Sequence, residues 1–257
     1  MKTLHKTLVM AALALPLVVR GGIIGSPHDF SQRTTWNTDP ANPATVCGVC
    51  HTPHHANPTT GPLWGHDLVS GGTWQMYANG VSPGAAIKYS PASAPTGSSL
   101  ACLSCHDGSI ALNAYGSASA PNRTGSAEYV TNGAAISFDQ GLHQNLTHSH
   151  PIFFSYQSIV GTGPTQDKWI YDSANPVLTP TAGSPGFVYG NDMSIAGFLL
   201  NKAGNVECNS CHDVHNQEGS PYNIVNNPHL VKINGTAPNS VNGLQTGSLL
   251  CRSCHNK

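Results

Sequence analysis

The eight cysteines of the chain all lie in four copies of one five-residue pattern, in which two cysteines two residues apart are followed at once by a histidine. The cysteines are Cys47, Cys50, Cys102, Cys105, Cys208, Cys211, Cys251 and Cys254. Two thiols at this spacing can form thioethers with the two vinyl groups of one haem, and the next histidine then lies beneath the iron. The pattern predicts four covalently attached haem c groups, with proximal ligands His51, His106, His212 and His255.

Three other uses of paired cysteines compete with haem attachment. Exported cysteines often form disulfides, Cys-x-x-Cys pairs often hold zinc, and such a pair can also act as a redox dithiol. None of these uses requires a histidine directly after every pair. The sequence therefore favours haem attachment over zinc or disulfides.

The supply of histidines decides how the sixth coordination position of each iron is filled. Only Met76 and Met193 follow the N-terminal segment, so at most two haems could have a methionine ligand. Nine histidines that follow the N-terminal segment lie outside the four motifs: His28, His54, His55, His66, His143, His148, His150, His215 and His229. The supply is sufficient for four bis-histidine haems, whose irons would be coordinatively saturated.

Local sequence favours five of these as distal ligands: His28, His54, His66, His150 and His215. His54 and His215 lie three residues after a proximal histidine, so they cannot bind the same haem and are expected to reach a neighbouring one. The other three stand beside bulky or rigid residues that can fix the backbone. His55 and His148 are rivals of His54 and His150. Five candidates for four positions imply that one is wrong or that one ligates a haem of another chain.

The N-terminus resembles a secretory signal: Lys2 and Lys6 precede an apolar stretch too short to span a bilayer. We expect residues 1–21 to be removed, with a retained membrane anchor as the alternative, and residues 22–257 to form a single domain. Removal of this segment takes away Lys2, Lys6 and Arg20, so that eight of the eleven basic residues remain against twelve acidic ones. This balance excludes a basic surface for nucleic acid.

Composition limits the fold class. Large aliphatic and Phe side chains make up roughly a fifth of the chain, about the level below which a protein cannot build a core by itself. The chain has 27 glycines and 19 prolines, which disfavour long helices and strands. We expect mostly irregular coil with short α-helices and little β-structure, in which a large apolar cofactor fills the interior.

Together the motifs resemble those of the extracellular tetrahaem cytochromes of metal-respiring microbes. The resemblance is carried by segments 25–31, 50–54, 62–66, 102–108, 149–151 and 249–257. It implies a multihaem cytochrome c wrapped around a line of stacked haems, secreted to the cell surface, with the periplasm as the alternative. It also implies self-association into filaments, in which His54 or otherwise His28 ligates a haem of the next subunit. Electrons would come from outer-membrane or periplasmic donors and pass to extracellular acceptors such as metal oxides.

Three functions agree with four such haems. The first is an electron conduit that assembles into filaments and performs no bond chemistry. The second is a monomeric periplasmic shuttle, which usually needs a strongly charged docking face that eight basic residues hardly provide. The third is a multihaem reductase, which needs an iron with an open position, although histidines are plentiful here. The sequence favours the conduit, a carrier and not an enzyme.

Overall fold

The computed structural model of the chain describes residues 22–33, 45–54, 56–68, 74–76, 94–117, 120–121, 128, 145–147, 150–162, 168–177, 193–215, 230–233 and 249–255. All eight cysteines, the four proximal histidines and the five favoured distal histidines are among them. The expected signal segment 1–21 lies outside the described residues, and so do His55, His143, His148 and His229.

The described residues form four short helices: α1 (Gly97–His106), α2 (Ile195–Phe198), α3 (Cys208–Cys211) and α4 (Leu249–Cys254). The paired cysteines of an attachment motif lie in α1, α3 and α4. There are also 3₁₀ turns at Phe30–Gln32 and Tyr156–Ser158. Residues three and four apart share one face of a helix, so helical backbone brings the two cysteines and the histidine of a motif to the same side. No helix of the described residues is long and apolar enough to cross a membrane.

The strands of the described residues are two residues long and form two antiparallel pairs. β1 (Gly116–Ser117) pairs with β2 (Ala120–Pro121), and β3 (Phe154–Ser155) pairs with β4 (Asn205–Val206). The second pair places Phe154 opposite Val206, directly before α3. It therefore ties the middle of the chain to the third attachment motif.

The buried side chains of the described residues form two clusters. The larger joins α1, α2, β3, β4 and α4 through Leu103, Leu146, Ile152, Phe153, Phe154, Tyr156, Val177, Ile195, Leu199, Val206, Ile233 and Leu249. The smaller holds only Val49 and Tyr115, with Phe30 and Leu112 packed against them. Met76 and Met193 are partly buried against the larger cluster, so both methionines contribute to packing.

Candidate haem-binding site

Three of the four proximal histidines lie at nearly the same distance from a distal candidate. The ring centroids are 6.0 Å apart for His28 and His106, 6.3 Å for His51 and His215, and 6.1 Å for His150 and His255. A bond from a metal to an imidazole nitrogen is about 2.0 Å and the ring centroid lies about 1.1 Å further out, so two imidazoles on opposite sides of one iron have centroids roughly 6.2 Å apart. The three pairs thus have the spacing of two axial ligands.

The planes of the paired rings are inclined at three different angles. The rings of His51 and His215 are nearly parallel, at 14°, whereas those of His150 and His255 are inclined at 72°. The angle for the third pair is 49°. Because the mutual orientation of axial imidazoles sets the magnetic anisotropy of low-spin iron, the three pairs would be spectroscopically distinct.

Backbone hydrogen bonds select the nitrogen that two of these rings offer to a metal. His51 Nδ1 donates to the carbonyl oxygen of Pro62 at 3.0 Å, and His150 Nδ1 donates to that of Pro151 at 2.8 Å. A neutral imidazole that donates through Nδ1 keeps its lone pair on Nε2. Both rings therefore have the tautomer that binds a metal through Nε2, fixed by a main-chain acceptor as metal ligands commonly are.

His28 is half-buried near two proximal histidines, His106 and His212. Burial, and after it the neighbouring His106 and His212, lower the pKa of the His28 imidazole to about 4. The ring is consequently neutral at physiological pH, which is the form that ligates metals. Its Nδ1 is buried without a hydrogen-bond partner among the described residues, as expected for a ring whose surroundings are completed by another group.

The remaining two distal candidates lie in different surroundings. His66 is buried, and its ring nitrogens lie 3.2 Å from the carbonyl oxygen of Leu112 and 3.3 Å from that of Asp67. His54 is exposed, and Thr52 Oγ1 donates a hydrogen bond to its carbonyl oxygen at 2.8 Å. The structure thus brings three of the five favoured candidates beside a proximal histidine and leaves the ring of His54 toward solvent.

Three motifs are held by the same main-chain contact. The carbonyl oxygen of the second cysteine accepts a hydrogen bond from a distant segment: from Gly65 N to Cys50 O at 2.8 Å, from Lys232 N to Cys211 O at 2.7 Å and from Tyr171 N to Cys254 O at 2.9 Å. In the first and third motifs the residue after the histidine also donates back, to Leu63 O at 2.8 Å and to Leu230 O at 2.7 Å. Both leucines have positive φ, 57° and 51°. This repeated contact fixes the backbone on which each cysteine and histidine stands.

The position before the second cysteine is buried in all four motifs. It is Val49 in the first, and Ser104, Ser210 and Ser253 in the others. Ser104 Oγ donates to Ala101 O at 2.7 Å, Ser253 Oγ donates to Leu249 O at 2.9 Å, and Ser210 Oγ accepts from Glu207 N at 2.9 Å. Sequence reasoning missed these serines, although serine at the same place in three motifs was a visible signal. Burial of this position turns one side of every motif toward the protein interior.

The cysteines show which motifs are neighbours. Burial, and after it the Cys50 thiol, raises the pKa of the Cys105 thiol to about 12. The Cys102 and Cys208 thiols lie close enough that each is the largest influence on the other's pKa, which is raised at Cys102 and lowered at Cys208. Burial, and after it the Cys254 and Cys251 thiols, raises the pKa of the Cys211 thiol to about 11. Electrostatic effects of this kind fade with distance, so the first motif adjoins the second, the second the third and the third the fourth.

The donor set fits haem c. The eight cysteines are all free of disulfides. Among the described residues no three His, Cys, Asp or Glu side chains are grouped to hold a metal ion alone. A haem iron needs only two protein ligands because the porphyrin supplies four, and two is what the three histidine pairs offer.

Comparison with known proteins leaves the family resemblance as a prediction that depends on the motifs. No family model matches the sequence, and no curated protein matches it.

Proposed function

We propose that the chain is an extracellular electron carrier with four bis-histidine haem c groups, and that it assembles into filaments. The observation that carries the proposal is the spacing of the three histidine pairs, each of which joins residues far apart in sequence. When bound, the haems would supply reversible Fe(III)/Fe(II) chemistry, and the protein would set distance, orientation and potential. Two histidines on an iron leave no position for a substrate, which supports a carrier over an enzyme.

The order of the motifs supports a continuous path for electrons. Each inner motif turns one cysteine toward each neighbour: Cys105 and Cys102 in the second motif, Cys208 and Cys211 in the third. The outermost cysteines, Cys47 and Cys251, are the two that are exposed. A line of haems in sequence order would therefore end near the surface at the first and fourth motifs, where electrons could enter and leave.

Exposed apolar side chains at the two end motifs support contact with further copies of the chain. At the first motif Leu63 is 53% exposed, and Val214, next to His215, is 37% exposed. At the fourth motif Trp169 is 45% exposed and precedes Ile170, which pairs with His255. Large exposed apolar groups beside both ends favour a head-to-tail partner.

The sparse charge of the chain favours the filament over the shuttle. Only 9% of its residues are charged, and within the described segments the single ion pair joins Arg33 to Glu128. Transient electron-transfer partners usually find each other through strong complementary charge. A weakly charged surface instead lowers the repulsion between identical subunits.

Haem content and coordination test the carrier. The chain should be produced in a host with a c-type cytochrome maturation system, and its haem content should be measured by the pyridine haemochrome method. We expect four haems per chain and low-spin ferric iron throughout. Fewer than four haems, or bound zinc in their place, would refute the assignment. A high-spin ferric haem with turnover of nitrite or sulfite would favour the reductase.

Electron microscopy tests the filament. We expect filaments with a four-haem repeat, and we expect Trp169→Asp to abolish them without loss of haem. Ile24→Asp is the matched control, because Ile24 is as exposed as Trp169 but stands four residues before His28, whose ring lies beside His106 of the second motif and not at an end motif. A chain that stays monomeric at high concentration would favour the periplasmic shuttle.

His54 is the residue proposed to ligate a haem of the next subunit, because it is exposed and belongs to none of the three histidine pairs. His28 is less suited to that role because it lies beside His106 of its own chain. We expect His54→Ala to lose filaments and to convert one haem per chain to high spin, whereas His55→Ala should behave as wild type. Normal filaments with four low-spin haems in His54→Ala would remove His54 from this role.

A further inference from the structure

Glu207 is a buried carboxylate that has no assigned part in haem attachment or in ligation of the iron. It is 1% exposed and stands at the N-terminal end of α3, directly before Cys208. Its side chain accepts hydrogen bonds from Ser99 Oγ and from the backbone N of Ser210. Asn201 Nδ2 lies 3.5 Å from Oε1. These partners are all neutral.

Glu207 lies where the helices of two attachment motifs meet. Ser99 is on α1, one turn before Cys102, and its hydroxyl contacts both the Glu207 carboxylate and the backbone N of Cys208, the latter at 2.9 Å. Ser98 Oγ also donates to Asn209 Oδ1 across the same contact, at 3.1 Å. Because the Cys102 and Cys208 thiols are close enough to shift each other's pKa, the carboxylate is next to the attachment points of the second and third haems.

The packing around Glu207 excludes a larger neighbour. A Cβ on Gly97 of α1 would lie 3.2 Å from Glu207 Oε1, and Gly97 has φ +60°. The carboxylate is thus enclosed by backbone on one side and by serine hydroxyl and amide groups on the other. A charge held in such a place feels other charges strongly, because little water screens it.

Among the residues that the structure describes, no cation faces the Glu207 carboxylate. From α3 the titratable neighbour is Cys208, which would be a thioether in the haem-bearing protein and would not titrate. From the loop before β4 the neighbour is Asn201, and the adjacent Lys202 is exposed. Burial raises the pKa of the Glu207 carboxyl above its ordinary value, although hydrogen bonds from Ser99 lower it.

We propose that Glu207 is a redox-linked proton site, which binds one proton from water when one electron reaches the second or third haem and releases it on oxidation. This inference rests on the proposed function. The electron adds one negative charge beside the carboxylate, and the proton, bound to a carboxylate oxygen, cancels it. The proton enters through the loop that carries Asn201, since Lys202 and Ala203 on that loop are exposed. Electron transfer through the middle of the line is thereby coupled to pH.

Redox-difference infrared spectroscopy and potentiometric titration across pH test the proposal on protein with four haems per chain. On reduction we expect a protonated-carboxyl band that shifts in D₂O, and a midpoint potential that falls with rising pH. The midpoint potential can change by at most about 59 mV for each tenfold change in proton concentration when one proton accompanies one electron. Both signals should disappear in Glu207→Gln. Glu128→Gln is the matched control, because Glu128 is a partly exposed carboxylate paired with Arg33, and it should keep both.

Two results would overturn the proposal. One is a band and a pH dependence that persist in Glu207→Gln, which would assign the proton to a haem carboxylate instead. The other is their absence from the wild type. If Glu207→Gln does not mature, Ser99→Ala provides the test. Loss of the hydroxyl that stabilises the carboxylate should shift the pH dependence of the midpoint potential to higher pH. An unshifted pH dependence refutes the role of Glu207. A failure of the proposed function would be recognised earlier, as protein without four haems.

Discussion

Replacing His215 by alanine removes an imidazole that belongs to the third motif by sequence but lies beside the proximal histidine of the first. The His51 and His215 centroids are 6.3 Å apart, close to the roughly 6.2 Å of two ligands on one iron. We therefore expect His215→Ala to convert one haem of the four to high spin, about a quarter of the total. The affected species should be the one with nearly parallel ligands, since the two rings are inclined at only 14°.

The fold should tolerate this change. His215 is exposed, and its backbone N, which donates to Asp213 Oδ1 at 3.0 Å, is unaffected by the loss of the side chain. Exposed substitutions of this kind usually change stability by less than about 0.5 kcal/mol. A spectral change in His215→Ala would thus report lost ligation, and its haem content should remain four.

Electron paramagnetic resonance of the ferric protein, combined with loss of one attachment site at a time, identifies the haem concerned. In a Cys47→Ala/Cys50→Ala background the first haem is absent, so His215→Ala should add no further loss of low-spin signal. In a Cys208→Ala background His215→Ala should still reduce the low-spin signal. An effect of His215→Ala that depends on the first haem shows that His215 and the first motif are coupled. The reasoning fails if His215→Ala acts in the first background and is silent in the second.

Four further changes have definite expected outcomes. His150→Ala should remove the strongly anisotropic low-spin signal expected for ligands inclined at 72°, as measured by the same resonance method. Gly97→Ala should destabilise the protein by about 1 to 2 kcal/mol in thermal melting, because it puts a side chain at φ +60° against Glu207. Leu63→Gly should raise stability by up to about 1 kcal/mol, because glycine adopts φ 57° without strain. Because the folded-state pKa of Glu207 is raised, stability should fall as pH rises from its ordinary value through the raised one, and denaturant titrations of Glu207→Gln should lack this slope.

The sequence predicts the attachment sites and the proximal ligands, because each motif is local and its chemistry depends on fixed spacing. It also indicated that His215 could not serve the haem of its own motif. It could not indicate that His51 lies beside His215, since that proximity depends on how residues far apart in the chain come together.

The contacts that position the motifs had no sequence signal. The strands are two residues long, so β3 and β4 lack the alternation by which strands are recognised. Leu63 and Leu230 adopt a backbone conformation usually reserved for glycine, which a leucine in the sequence does not suggest. Glu207 was overlooked because a glutamate is ordinarily exposed, and its burial follows from the meeting of α1 and α3.

The unequal size of the two core clusters implies that the chain does not open uniformly. Counted over the described residues, Val49 of the first motif belongs to a cluster of two buried residues, whereas Leu249 at the start of α4 belongs to one of twelve. Regions with few buried apolar contacts exchange their amide hydrogens through low-energy local opening. Amides around the first motif should thus exchange before those around the fourth. If copies join end to end, each junction would combine the locally flexible surface at the first motif with the rigid surface at the fourth. The flexible surface could then adapt its conformation to the partner.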